Sequence, residues 1–292
     1  MSQIPKNQEI INHITGGIRK ALTNQTTTPC MVFIVKQTAA IYNIFRRFPG
    51  DRLPGRTVDI RWSSRLYGMC LLWYLPAMSR LTDHISLHTN DTPREEIANA
   101  ATHLIGAILA VIGTGLLVRE PASRGMTAAR SVFGATMILL FSASTLYHMS
   151  PPGSTGKRVF RLIDHLSIFL LIAGTYTPIM TAIDLPWAYG TLAVVWALAI
   201  TGMTLKVVLW DKFRRWQVIF FLAMGWIAIL RIGSILEILP GPFFRLLLTG
   251  GVVYSLGTIV YGMKQLPYHH AIWHLFVLGG AGAFFWGVYR YL

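Results

Sequence analysis

Residues 267–276 read PYHHAIWHLF, and His270 and His274 stand one helical turn apart at the head of a long apolar run. Residues four apart share a helix face, so both imidazoles can address one ion. The spacing matches the HxxxH half of the zincin signature, but Ala271 stands where a zincin carries its glutamate, which excludes that mechanism. A third ligand has to come from another element, and His148, four residues after Ser144, is the candidate. Three histidines with an open fourth position are the usual ligand set of a catalytic zinc, which brings the pKa of its bound water to about 7. Asp164 has the chemistry to hold that water as acceptor or general base. Ser144 can donate to a substrate carbonyl or to a ligand. Glu96, Asn99 and His103 follow one another at i, i+3 and i+7. They share one helix face and suit positions behind the ligands that orient them. A lone histidine at a membrane interface is ordinarily just an amphipathic side chain, and the convergence of separate segments carries the metal reading. His269 reads as interfacial and His165 as locally packed, and neither is assigned to the site.

The elements that must bring these residues together are membrane helices. Of the 292 residues 53% are hydrophobic and 13% charged, against roughly 25% charged in an average soluble domain. With a mean hydropathy of +0.49, composition points to an integral membrane protein. The formal charge of +14 does not mark a nucleic-acid binder, because Lys and Arg are distributed between apolar runs. Cys30 and Cys70 lie far apart and offer neither a disulfide framework nor a thiolate metal site. The opening MSQIPKNQEI has no basic region followed by an apolar one, so no cleavable signal peptide is read there.

Seven runs are long enough to cross a bilayer core, which takes about 20 mostly apolar residues. They fall near 99–118, 129–149, 163–183, 187–209, 216–239, 244–263 and 270–291, joined by short connections carrying Pro, Gly or charge. A spanning segment satisfies its backbone internally, and these runs are too long for barrel strands, so the fold class is all-α, a polytopic seven-helix bundle over 95–292. Residues 1–94 form a leader of mixed composition, amphipathic or partly disordered. Within it, Ile41, Ile44, Phe45 and Phe48 share a helical face beside Arg46 and Arg47, a pattern that lies on anionic membrane surfaces. The run Met69 to Met78 is interrupted by Pro76 and too short to span.

With the N-terminus cytoplasmic, the inside connections hold eight basic residues, among them Lys157, Arg161, Lys206 and Lys264, against five outside, and the leader adds twelve more inside. The positive-inside bias therefore favours N-in and C-out. This orientation places Glu96, Asn99, His103, Ser144, His148, Asp164, His270 and His274 at one level near the cytoplasmic face. Arg231 falls inside the fifth run with no partner evident from sequence.

EEIANAATH (95–103), SASTLYH (142–148), DHLSIFLLIAGTYTP (164–178) and HAIWH (270–274) resemble the motifs of the hemolysin III family. That family groups with the progestin and adiponectin receptors and, more distantly, with the alkaline ceramidases. The resemblance covers roughly 95–292. It implies seven helices, a cytoplasmic N-terminus and a zinc near the cytoplasmic face held by His148, His270 and His274. It also implies that Asp164 partners the bound water, that Ser144 is a polar neighbour, and that Glu96, Asn99 and His103 are not ligands. Members of bacterial origin begin only shortly before the first motif, so the leader departs from the pattern, and translation starting at Met69 or Met78 is one account of it.

Three functions are weighed on these residues. The leading one is a zinc-dependent hydrolase of a lipid amide or ester bond, a multi-pass protein of the inner (cell) membrane whose partner is membrane lipid. A cytolytic or channel protein is the second, though a pore wants a polar stripe through the full bilayer depth and the ionisable groups here crowd one end. The third is a non-catalytic sensor or regulator of membrane lipid state with a structural zinc, which would need a closed four-ligand shell, for instance with His103 as the fourth. Tyr147, Tyr176 and Trp273 read as packing residues rather than substrate contacts.

Overall fold

The computed structural model describes residues 82–87 and 91–292, and the expectations for the segments 40–48 and 69–78, for Cys30 and Cys70, and for the translation start lie outside the described residues. Among the described residues there is no strand, and seven helical stretches are long and apolar enough to cross a membrane. The first four spans are α1 (Pro93–Arg119), α2 (Arg124–Met149), α3 (Thr155–Ile183) and α4 (Pro186–Val208). A short α5 (Trp210–Phe213) follows in a connection. The fifth span comprises α6 (Gln217–Gly225), a 3-10 turn (Ile227–Arg231) and α7 (Ile232–Ile238). The last two spans are α8 (Gly241–Gly262) and α9 (His269–Tyr291).

Local chemistry sets where the site-bearing helices begin. Thr92 caps α1 by accepting from the Glu95 amide, while the Glu95 carboxylate accepts from the Thr92 amide, a complete capping box with Pro93 in the first turn. Ser123 and Ser154 cap α2 and α3 through their hydroxyls. The helix α3 ends at Asp184, which takes a left-handed conformation with φ of 51°.

The fifth span is not the unbroken helix that its apolar run suggests. The Tyr176 hydroxyl on α3 donates to the Gly225 carbonyl at 2.8 Å and accepts from the Ala228 amide at 3.0 Å. A side chain inserted into the backbone ladder in this way breaks the helix where it enters. Arg231 lies at the end of the resulting 3-10 turn with its guanidinium 5.8 Å from the Trp187 ring, a cation–π partner supplied by the start of α4.

Consecutive spans pack against one another, and α9 closes the arrangement by packing on α1, α3 and α8. Glycine permits the tightest approaches. A Cβ at Gly174 would stand 2.3 Å from Thr136 Oγ1, and one at Gly202 would stand 2.3 Å from the Phe169 ring. Only a missing side chain lets α3 sit this close to both α2 and α4. Ile105, Ile108, Leu109 and Ile112 of α1 stay exposed, an apolar outer face suited to hydrocarbon. The stretch 82–87 is tied to the α3–α4 region. Arg161 donates to the Ser86 carbonyl, the Trp210 indole donates to Ser86 Oγ at 3.3 Å, and Ser86 donates to Asp211 at 2.8 Å.

Candidate metal centre

The start of α1, the end of α2, the start of α3 and the start of α9 all lie at one end of the bundle, so residues far apart in sequence share one level. Among the described residues, His148, His270 and His274 offer ligand atoms within 4.8 Å of one another. Their ring centroids are 4.9 Å apart for His148 and His270, 5.2 Å for His148 and His274, and 4.7 Å for His270 and His274. His148 and His274 are buried and His270 is half-buried.

Each of the three rings has a partner at the same nitrogen. His148 Nδ1 lies 2.8 Å from Glu96 Oε2, and His274 Nδ1 lies 3.0 Å from the Asn99 carbonyl. His270 Nδ1 lies 3.4 Å from Asp91 Oδ2. Because carboxylates and carbonyls only accept, the two hydrogen bonds place the proton of His148 and of His274 on Nδ1 and leave Nε2 as the lone-pair nitrogen, and the longer Asp91 contact favours the same tautomer in His270. His148 Nε2 is buried without a hydrogen-bond partner among the described residues. A buried acceptor left unpaired is costly, and a cation at the meeting point of the rings removes that cost. Imidazoles anchored at one nitrogen by oxygen and free at the other are the usual arrangement of metal-ligating histidines. The group can therefore bind a metal.

The surroundings extend this network. Lys157 is buried and donates to Glu96 Oε1 at 2.8 Å, so the carboxylate that anchors His148 is itself held on its other oxygen. Asn99 Nδ2 donates to Asp91 Oδ2 at 3.3 Å, while the Thr102 hydroxyl lies 3.2 Å from His274 Nδ1. Outside the spans, the Asp91 carboxyl is pushed down to about 2, first by its contact with His270 and further by the neighbouring imidazoles.

The residues singled out from sequence take distinct places. Glu96 and Asn99 stand directly behind the His148 and His274 rings. His103 is outside the three-histidine group: it stacks on His274 with centroids 3.5 Å apart and planes 15° apart, and meets Phe141 edge-on. Asp164 is buried and lines the same cavity as His270 and His274. The Ser144 hydroxyl is fully buried and has no hydrogen-bond partner among the described residues. His165 bonds to the Arg161 carbonyl through Nδ1 at 2.9 Å and packs on Trp210, and His269 lies against Tyr261 and Lys264. Asp91 and Lys157 were not picked out from sequence.

The centre opens onto a cavity of about 250 Å³ bounded by α3, the fifth span, α8 and α9. Its wall runs from Asp164, His270 and His274 to Phe284, about 21 Å along α9 at 1.5 Å per residue. Most of that wall is aliphatic or aromatic, including Ile172, Ile179, Phe221, Leu247 and Val277, and Tyr176 and Trp273 belong to it as well.

Sequence comparison agrees with the geometry. The profile of the family described as Haemolysin-III related matches residues 92–285. Hemolysin-3 of Bacillus cereus is 39% identical over 219 residues, covering 74% of this chain and 96% of its own length. The Hemolysin-3 homolog of Bacillus subtilis (strain 168) is 40% identical over 204 residues, covering 68% of this chain and 95% of its own length. The human Monocyte to macrophage differentiation factor is 27% identical over 204 residues, with 68% of this chain and 84% of its own length covered.

Proposed function

Because the chain belongs to the haemolysin-III related family of integral membrane proteins, within the progestin and adiponectin receptor superfamily, we propose that its histidine centre holds zinc and hydrolyses an amide or ester bond of a membrane lipid. The observation that carries this reading is the convergence of three imidazoles, each with Nδ1 facing an oxygen, at one end of an apolar cavity. A zinc bound there supplies Lewis-acid polarisation and a water whose pKa is about 7.

The chain's own residues then have separable tasks. His148, His270 and His274 would hold the ion, with Glu96 and Asn99 fixing the His148 and His274 rings. Asp164 accepts a proton from the attacking water and returns it to the leaving nitrogen or oxygen as the acyl bond breaks, so no net proton is consumed. Ser144 donates to the substrate carbonyl or steadies Asp164. The apolar wall takes the acyl chain, over a length greater than one leaflet, or half of the roughly 30 Å hydrocarbon core. With the N-terminus cytoplasmic, as the basic connections favour, the centre faces the cytoplasmic leaflet of the inner membrane.

The name of the Bacillus cereus relative attaches haemolysis to that protein. A cytolytic pore is the weaker reading for this chain, because the cavity wall beyond the histidines is mostly apolar. Detergent-purified protein assayed for bound metal and for release of fatty acid from acyl amides and esters tests the proposal. Stoichiometric zinc with turnover abolished in H274A supports it. Zinc-loaded protein that cleaves no acyl amide or ester, yet leaks dye from liposomes equally well with H270A, would overturn it.

A further inference from the structure

We propose that Asp91 is a positioning residue of this centre: its carboxylate, carried just ahead of the first span, holds the His270 ring with Nε2 directed at the ion. The inference rests on the metal reading given above and goes beyond it, because Asp91 precedes the stretch 92–285 matched to the family and belongs to none of its motifs.

Three observations carry it. First, His148 and His274 are buried and find their Nδ1 partners on α1 itself, whereas His270 is half-buried and sits in the first turn of α9, after a Tyr268 in left-handed conformation with φ of 57°. Its ring meets His148, Tyr261 and His274 edge-on, contacts that do not distinguish one ring nitrogen from the other, so a partner at Nδ1 is what selects the orientation. Second, Asp91 Oδ2 is that partner at 3.4 Å, and the same oxygen accepts from Asn99 Nδ2 at 3.3 Å. Asn99 in turn accepts from His274 through its main-chain carbonyl at 3.0 Å, so Asp91 ties the two histidines of α9 into one network. Third, the backbone that follows Asp91 is fixed by structure. The capping box of Thr92 and Glu95 orders the backbone immediately after it, and Glu95 Oε1 also accepts from the Tyr268 amide at 3.1 Å, fastening the start of α9 to the start of α1.

The test measures zinc affinity of the full-length, detergent-solubilised protein by competition with a chromophoric chelator, alongside the visible spectrum of the cobalt-substituted form. D91A is expected to bind zinc about 10- to 100-fold more weakly, and D91N, which keeps an acceptor without the charge, to fall between it and the parent. The cobalt bands should keep their positions, because the ligand set is unchanged. D83A is the control in the same segment, removing the partner 3.7 Å from Arg158 without touching His270, and its affinity should match the parent. An unchanged affinity in D91A overturns the inference. So does an equal loss in D83A, which would make docking of the segment the cause, or a cobalt spectrum of altered coordination number, which would make Asp91 a ligand. If D91A does not fold, D91N carries the same comparison. A parent protein that takes up no zinc would instead remove the metal reading on which the inference stands.

Discussion

Replacing Glu96 by Gln tests the coupling between metal affinity and the buried charge behind it. In the parent, Glu96 accepts at both oxygens, from His148 Nδ1 and from Lys157 Nζ, each at 2.8 Å. A glutamine has one oxygen and one NH₂ group, so one of the two donors must face another donor. If the oxygen stays with Lys157, His148 loses its anchor; if it turns to His148, the lysine meets an amide. Loss of a carboxylate behind a ligating histidine costs on the order of 10- to 100-fold in metal affinity, which is about 1.4 to 2.8 kcal/mol. Stability falls separately. Breaking a fully buried ion pair costs about 3–5 kcal/mol, and because the Glu96 side chain is 20% exposed against 4% for Lys157, a loss nearer 2 kcal/mol is expected here. Chelator competition and thermal unfolding of the metal-free protein read the two effects independently. The double variant E96Q/K157M should regain most of the stability, since no buried ammonium is left unpaired, while its affinity stays below the parent because the negative charge is gone. An E96Q protein with zinc affinity within about threefold of the parent would refute the assignment of Glu96 as the anchor of His148.

Three further outcomes follow from the same structure. Y176F should leave the Gly225 carbonyl and the Ala228 amide without their shared hydroxyl, costing about 1–3 kcal/mol; faster amide exchange across 226–231 is the measurement, and unaltered exchange there would contradict the role given to Tyr176. G174A places a Cβ 2.3 Å from Thr136 Oγ1 and should destabilise by about 1–3 kcal/mol, whereas G190A, which meets nothing within 4 Å, should be neutral or stabilising, as thermal scans of both variants will show. Asp91, with its carboxyl lowered from 3.8 to about 2 in the folded protein, contributes stability that is fully present above its unfolded value and is lost as pH falls from about 4 toward 2. The acid limb of a pH titration of metal-free stability should therefore be shallower in D91N, and coincident curves would speak against the Asp91–His270 contact.

Much of the arrangement could be read from residue order. The seven runs are visible as hydropathy, and alternating the direction of successive spans puts the ends bearing His148, Asp164 and His270 on one side before any coordinates are consulted. What hydropathy cannot register is a hydrogen bond from another helix, so the run 216–239 looks continuous although Tyr176 interrupts it. In sequence Lys157 reads as one of the positive charges of a connection, and nothing in its neighbours signals that its ammonium turns inward to Glu96. Asp91 reads in sequence as part of the leader, yet TPRE at 92–95 is a capping-box signature that fixes the start of α1 and brings the preceding residue beside His270. The spacing of Glu96, Asn99 and His103 puts them on one helix face, but spacing cannot separate a residue that accepts from a histidine of the group from one whose ring stacks on it, as His103 does.

The three imidazoles come from the second and seventh spans, but their counterparts all lie between Asp91 and Asn99. One short stretch thus acts as a jig that sets how all three rings are held. A single inserted residue within 93–99 would turn everything upstream of it by about 100° around the helix axis. The lipid-facing side of the first span asks only for apolar residues, whereas the register of these nine positions decides which groups meet the three histidines.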